Sequence, residues 1–218
     1  MVERQGTQKR TVAIAVVALV VAVGFGAVNA IGYRGDPLAA DAGWLALLRA
    51  GELTWWHAPS QLLDYIGAGV PALLMASIIA GALLLWRRPW GALYFVAAAV
   101  LSTAVVEIIK NTVGRLRPQD ALVEAGFGSY PSGHSARAAT FAVVLGILVP
   151  RLWVWMLGAA YTLAMMFSRT HLGVHWLSDT IGGALTGAAV PLLCFALVAR
   201  QLEAEGARRH PPPWRRAA

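Results

Sequence analysis

Long apolar runs separated by short polar connections set the pattern of this 218-residue chain. The first run, from Thr11 to about Ile31, is unbroken. It is close to the ~20 residues a helix needs to cross a bilayer and longer than the ~7–15 of a secretory h-region, so it reads as a retained first span and not a signal peptide. Further runs cover 61–86 and 90–110, a fourth goes from PSGH at 131–134 to about Val149, another covers 152–167, and a last one starts just after His175 and reaches about Val198. The pattern predicts an all-α, polytopic membrane protein with six transmembrane helices. Ser60 is placed to cap the second helix, Asp64 to sit in its first turn and Pro71 to kink it. Gly182, Gly183 and Gly187 give the last helix a small-residue face for close packing.

Between the first two runs lies the longest polar-containing stretch of the front half, 33–60. Asp36-Pro37 reads as an N-cap followed by proline at the first helical position. Trp44, Leu45, Leu47 and Leu48 then recur at helical spacing, and Gly51 can end the helix. With Trp55 and Trp56 beyond it, an amphipathic helix in the headgroup layer fits, and so does an ordered segment packed on the bundle. The organisation expected is a basic N-terminus over 1–10, a six-helix domain over 11–199, and a basic, disordered tail over 200–218.

Composition supports the membrane reading. Hydrophobic residues make up 58% of the chain and charged residues 13%, against about 25% charged in soluble domains. The formal charge of +7 suits anionic lipid headgroups. No basic stripe is interleaved with aromatics, so nucleic acid is not expected as a partner. The single cysteine, Cys194, cannot form an internal disulfide.

Six spans would put both termini on one side. Arg4, Lys9, Arg10, Arg87, Arg88, Arg151, Arg200, Arg208, Arg209, Arg215 and Arg216 would share that side, which the positive-inside rule makes cytoplasmic. Arg34, Arg49, Lys110, Arg115, Arg117, Arg137 and Arg169 would face the other way.

The chemistry is concentrated in three short segments. Ser168 to Asp179 reads SRTHLGVHWLSD. On a helix, His175 and Asp179 would share one face. A carboxylate on one imidazole nitrogen fixes the tautomer and leaves the other nitrogen's lone pair available for attack. The same residues would also serve as helix-end caps. Lys110 to Pro118 reads KNTVGRLRP, and Pro131 to His134 reads PSGH. Together the segments give Lys-x6-Arg-Pro, Pro-Ser-Gly-His and Ser-Arg-x5-His-x3-Asp. This set resembles the signature of the PAP2 (type 2 phosphatidic acid phosphatase) superfamily, which also includes the vanadium haloperoxidases. The resemblance covers roughly residues 105–185.

A phosphoryl group in transfer needs its oxygens neutralised and its attacking and leaving atoms held in line. Lys110, Arg117 and Arg169 supply cations, with arginine able to clamp two oxygens. Ser132 and Gly133 precede the fourth helix, and their backbone N–H groups can face an anion. The resemblance implies that His175 is the nucleophile, that Asp179 orients it, and that His134 is general acid and then general base. It implies no metal and no cofactor.

Outside the signature, Glu107 is expected to pair with Lys110, Arg115 to be a rim charge, Arg137 to meet a second phosphate or the headgroup region, and His171 to be a polar helix-end residue. The function expected is an integral membrane lipid phosphate phosphatase working through a phosphohistidine. A polyprenyl diphosphate such as undecaprenyl diphosphate is the favoured substrate, with phosphatidylglycerophosphate and phosphatidic acid close behind. The site would lie at the outer face of a bacterial inner membrane. A vanadate-dependent haloperoxidase and a non-enzymatic lipid-phosphate transporter are the alternatives.

Overall fold

The computed structural model describes residues 2–32, 36–51, 53–119 and 121–209. Arg34, Arg215 and Arg216 of the sequence reading, and residues 210–218 of the expected tail, lie outside them. The described residues hold eight α-helices and no strand: α1 Val2–Gly32, α2 Ala39–Ala50, α3 His57–Gly67, α4 Gly69–Leu85, α5 Pro89–Val113, α6 Gly133–Leu148, α7 Leu152–His171 and α8 Leu177–Arg209.

Three stretches, Gln8–Ile31, Pro89–Val113 and Leu177–Arg208, are long and apolar enough to cross a membrane alone. A fourth arises if Thr54–Gly67 and Gly69–Leu85 form one broken span, bent by 64°. Gly133–Leu148 is a shorter apolar helix. Large apolar side chains such as Val17, Leu73, Ile78, Leu101, Leu152 and Leu197 stand exposed on the outside of the bundle. Such an apolar perimeter is stable only against lipid or another protein.

The second predicted span departs most from expectation. It does not bend at Pro71, which lies in the first turn of α4, where a missing N–H does no harm. It breaks at Gly67-Ala68-Gly69, where Gly69 takes φ +55°, a conformation that favours glycine. Ser60 consequently lies inside α3, its carbonyl accepting Ser168 Oγ at 2.9 Å. Asp64 falls in the last turn of α3 rather than the first turn of a span. The cap of α2 also differs: Leu38 stands at the N-cap with no side-chain bond, two residues beyond Asp36.

Helix α8 runs through Arg209, whereas the sequence reading begins a disordered tail at residue 200. Glu205 explains the extension. Its carboxylate accepts the backbone N–H groups of Trp90 and Gly91 at 2.8 and 3.3 Å and meets Arg88 Nε at 3.4 Å. It thereby satisfies N–H groups that the start of α5 leaves unpaired. Arg88 also donates to the Leu148 carbonyl at the end of α6, at 2.9 Å. This basic end of the bundle is one α6 length, roughly 24 Å, from the start of α6 at Gly133.

The core lies where α5, α6 and α8 meet, around Phe95, Phe141, Val144 and Val190. The small-residue face expected on α8 packs there. A Cβ on Gly183 would lie 2.3 Å from the Ser132 carbonyl oxygen, and one on Gly187 would lie 2.0 Å from that of Ala136. Only glycine lets α8 approach the first turns of α6 this closely, and that approach brings Asp179 beside Ser132.

Candidate active site

The segments carrying the signature meet at one end of the bundle. Lys110, Arg117, Gly133, His134, Arg169 and His175 line one cavity of about 710 Å³. Ser132, which precedes the lining residue Gly133, and Asp179, 3.6 Å from His175, are fully buried.

Lys110 projects from the last turn of α5, which Gly114 closes with φ +58°. Its Nζ is 3.4 Å from Glu107 Oε1, the pair expected from their spacing. The connection 114–132 then folds back. Arg117 donates to the carbonyls of Gly126 and Val174 at 2.8 and 2.6 Å, and its Nη1 lies 3.2 Å from His175 Nε2. Burial lowers the pKa of Arg117 while the nearby Asp179 carboxylate opposes that shift.

Ser132 is the N-cap of α6. Its Oγ accepts the Ser135 N–H at 3.5 Å, but its own N–H donates to the Asp179 carbonyl at 2.9 Å. The expectation that the Ser132 N–H faces an anion is therefore corrected: that donor ties α6 to α8. The first-turn N–H groups of Gly133 and His134 have no intrahelical acceptor and remain suited to an anion. A Cβ on Gly133 would stand 4.0 Å from Lys110 Nζ, so glycine keeps that space open.

His175 is not on a helix. It lies in the turn between α7 and α8, ahead of Leu177. Asp179, in the first turn of α8, reaches back: its Oδ2 accepts the Trp176 N–H at 2.8 Å and lies 3.6 Å from His175 Nδ1. Nδ1 is buried, and among the described residues no acceptor lies within hydrogen-bond reach of it. Because Nε2 faces an Arg117 N–H, the consistent tautomer has its proton on Nδ1, directed at Asp179. Burial pushes the imidazole pKa down to about 4, with the Asp179 carboxylate pulling the other way. The ring is neutral at neutral pH, and its Nε2 lone pair points into a wall of cations.

Two residues that the sequence reading did not place in the site contribute to it, and a third is corrected. Asp64 Oδ1 lies 2.6 Å from Arg169 Nη1 and 3.4 Å from His134 Nε2, and its backbone carbonyl is 3.2 Å from the same Nε2. Arg115 is not a rim charge. It is 1% exposed, bonds Asp179 Oδ1 at 2.6 Å and Asp41 Oδ2 at 2.7 Å, and stacks its guanidinium over Trp176 at 5.7 Å. Asp41 comes from α2. No local pattern marks Asp41 or Asp64, since each meets the signature only through tertiary contacts.

Arg137 donates to the Gly67 carbonyl and lines the cavity beside Gly69. Both residues also line an apolar groove of about 580 Å³ between α4, α5 and α6, walled by Ala72, Leu73, Ala76, Val96, Ala99 and Val100. A polar cavity thus shares Gly69 and Arg137 with an apolar groove that suits a hydrocarbon chain. His171 is a helix-end residue, as expected. It stacks on Phe167 at 6.0 Å and lines a separate cavity of about 400 Å³ with His57 and Arg49.

The chain is 42% identical over 65 residues to an undecaprenyl-diphosphatase of Sulfolobus acidocaldarius, covering 30% of this chain and 31% of that protein. It is 33% identical over 113 residues to a lipid A 1-phosphatase of Rhizobium johnstonii, covering 46% and 45%. The chain thus aligns with less than half the length of these curated relatives. Its fold is similar to the crystal structure of a transmembrane PAP2-type phosphatidylglycerolphosphate phosphatase from Bacillus subtilis, with a TM-score of 0.69, 24% identity, and 87% of this chain and 96% of that one covered. The model of the PAP2 superfamily matches residues 91–203. That is more than half of the chain and includes every signature position, so this chain belongs to the PAP2 superfamily.

Proposed function

We propose that the protein is an integral membrane phosphatase that removes phosphate from a lipid through a phosphohistidine on His175. One observation carries this reading: His175 turns Nδ1 toward Asp179 and Nε2 toward Arg117, on the wall of a cavity shared with Lys110, His134 and Arg169. In the first step the Nε2 lone pair forms a bond to phosphorus as the bond to the leaving oxygen breaks. That oxygen takes a proton from His134. In the second step water attacks phosphorus, His134 accepts its proton, the N–P bond breaks and inorganic phosphate leaves. Lys110, Arg117, Arg169 and the N–H groups at the start of α6 hold the equatorial oxygens. As the His175 ring gains positive charge, Asp179 stabilises it.

The apolar groove beside Arg137 supports a lipid as the substrate, with its phosphate in the cavity and a chain between α4 and α5. We favour a polyprenyl diphosphate, because a relative is an undecaprenyl-diphosphatase and Arg137 adds a cation beside the three of the signature. Phosphatidylglycerophosphate and phosphatidic acid are the nearest competitors. The six crossings would be α1, the bent α3–α4 pair, α5, α6, α7 and α8, with residues 11–199 as one domain. Arg87, Arg88 and Arg151 lie on the turns opposite the site, which supports termini in the cytoplasm and a site at the outer face of the inner membrane.

Purified protein in mixed micelles, with EDTA present, should release phosphate from one or more lipids of a panel compared at equal surface fraction, and vanadate should inhibit release. Turnover by His175→Ala equal to that of the unaltered protein would overturn the assignment. Release from soluble phosphate esters alone, with none from any lipid, would overturn the substrate class.

A further inference from the structure

We propose that Asp41 and Arg115 are positioning residues for phosphoryl transfer, holding the Asp179 carboxylate in the plane that faces His175. This inference rests on the reading of His175 as nucleophile. It concerns a part of the chain, α2, that precedes the family-matched segment 91–203.

The three charges form one buried unit. Asp41, Arg115 and Asp179 are 1%, 1% and 0% exposed. Each oxygen of Asp179 has its own donor: Oδ1 takes Arg115 Nη1 at 2.6 Å and Oδ2 takes the Trp176 N–H at 2.8 Å. Those two bonds fix the plane of the carboxylate. Arg115 is itself fixed, because Nη2 bonds Asp41 Oδ2 at 2.7 Å and the Trp176 ring covers its face. Ser178 closes the unit. Its Oγ accepts from Arg115 Nη1 and donates to Asp41 Oδ2, both at 2.7 Å. Its N–H donates to Asp41 Oδ1 at 2.9 Å. Asp41 therefore caps the first turn of α8 from another helix, in the turn that carries Asp179.

A buried ion network is a poor device for stability, since well-packed apolar residues of the same volume usually do as well. Its charge count suggests another use. Two carboxylates and one guanidinium leave one net negative charge behind His175. The other groups that act on the ring are Arg117, Arg169 and His134; Lys110, Arg137, Asp64, Glu107 and Glu124 line the same cavity, with Asp64 held by Arg169 and Glu107 by Lys110. When Nε2 attacks, the positive charge that develops on the ring is met by the excess carboxylate charge of the unit. Without Asp41, Arg115 neutralises Asp179. Without Arg115, the carboxylates gain charge toward the ring but lose their fixed plane.

The test uses full-length protein in micelles and a lipid phosphate that the unaltered protein turns over. Phosphoenzyme formation is followed in a single turnover across pH, as a ratio to unaltered protein at each pH so that the substrate's own ionisation divides out. Asp41→Asn and Arg115→Met should each slow phosphorylation on the order of 10- to 100-fold, with KM within about 3-fold. The acid limb should move in opposite directions: down for Asp41→Asn, which removes negative charge, and up for Arg115→Met, which removes positive charge. Arg115→Lys and Asp41→Glu keep the charge count. They should leave the limb in place while slowing the reaction, and they carry the test if the first pair does not fold. A purely structural role would lower Tm without moving the limb of the folded protein. Unchanged rates, a fixed limb in Asp41→Asn and Arg115→Met, or limbs that move the same way would overturn the inference. So would unchanged rates in the conservative pair. His175→Ala serves as control: if it still forms phosphoenzyme, the nucleophile assignment falls as well, and if it does not, a failure belongs to this inference alone.

Discussion

The carboxylate of Asp64 lies 2.6 Å from Arg169 Nη1, on a cation that a phosphate oxygen would otherwise engage. It also lies 3.4 Å from His134 Nε2. Asp64 thus competes with a bound anion for Arg169, while its carboxylate and its backbone carbonyl both face His134 Nε2. Asp64→Asn should therefore tighten vanadate inhibition, by about 5- to 10-fold if one exposed-side charge contact is released. Turnover should fall, because the proton that His134 passes to the leaving oxygen loses a nearby carboxylate that favours its uptake. Vanadate titration and kcat measured on the same preparation check both parts; weaker vanadate binding would show that Asp64 only braces Arg169.

The pH dependence follows from His175. Burial holds its pKa near 4, below the ~6.5 of an exposed histidine, so Nε2 keeps its lone pair across the neutral range. Phosphorylation should fall as pH drops through this lowered value, not through 6.5. Stability has the same sign. Between about 6.5 and 4 the unfolded chain binds the proton more readily than the folded one, so stability rises with pH across that window and is lost as pH falls through it. Single-turnover rates and thermal unfolding from pH 3.5 to 7 would measure both.

The groove gives a steric prediction. Ala76 on α4 and Ala99 on α5 both line it. Ala76→Trp or Ala99→Trp should raise KM for a long-chain lipid phosphate roughly 10-fold or more, through lost apolar contact. The same change should leave turnover of a short-chain phosphate ester close to that of the unaltered protein. Equal losses on both substrates would place the chain elsewhere.

Close packing of α6 and α8 gives a stability prediction. Gly187→Ala drives a Cβ to 2.0 Å from the Ala136 carbonyl oxygen, and such overpacking costs about 1–3 kcal/mol. Gly81→Ala, where a Cβ would meet nothing within 4 Å, should be neutral or stabilising by up to ~1 kcal/mol. Thermal unfolding of both variants in one detergent checks the contrast.

Much of the site was legible in the sequence because its chemistry is written in local spacing. The eight residues from Lys110 to Arg117 span the end of α5 and the turn beyond it, and PSGH is itself a helix start. The pairing of His175 with Asp179 was also legible, although its geometry was not. The two meet because Asp179 folds back over the start of α8, not because they share a helix face. Asp41 and Asp64 were illegible as site residues. Their partners Ser178 and Arg169 are 137 and 105 positions away, and an aspartate near a helix end carries no mark of what it will meet. Arg115 was misread for the same reason: α2 and the start of α8 close over it together, through Asp41, Ser178 and Asp179. The break at Gly67–Gly69 was masked by Pro71, a stronger local signal that the first turn of α4 absorbs. Helix α8 outran the apolar pattern because Glu205 has its partners on α5.

The central claim is that phosphate from a lipid rests covalently on His175, and trapping it is the most direct measurement. Protein quenched in denaturant after brief exposure to a labelled lipid phosphate should carry label that is stable to alkali and lost in acid, on a peptide containing residue 175. His134→Ala should retain the label longer when the leaving group is activated, and His175→Ala should carry none. Label that survives in His175→Ala, or that maps to another side chain, would contradict the account.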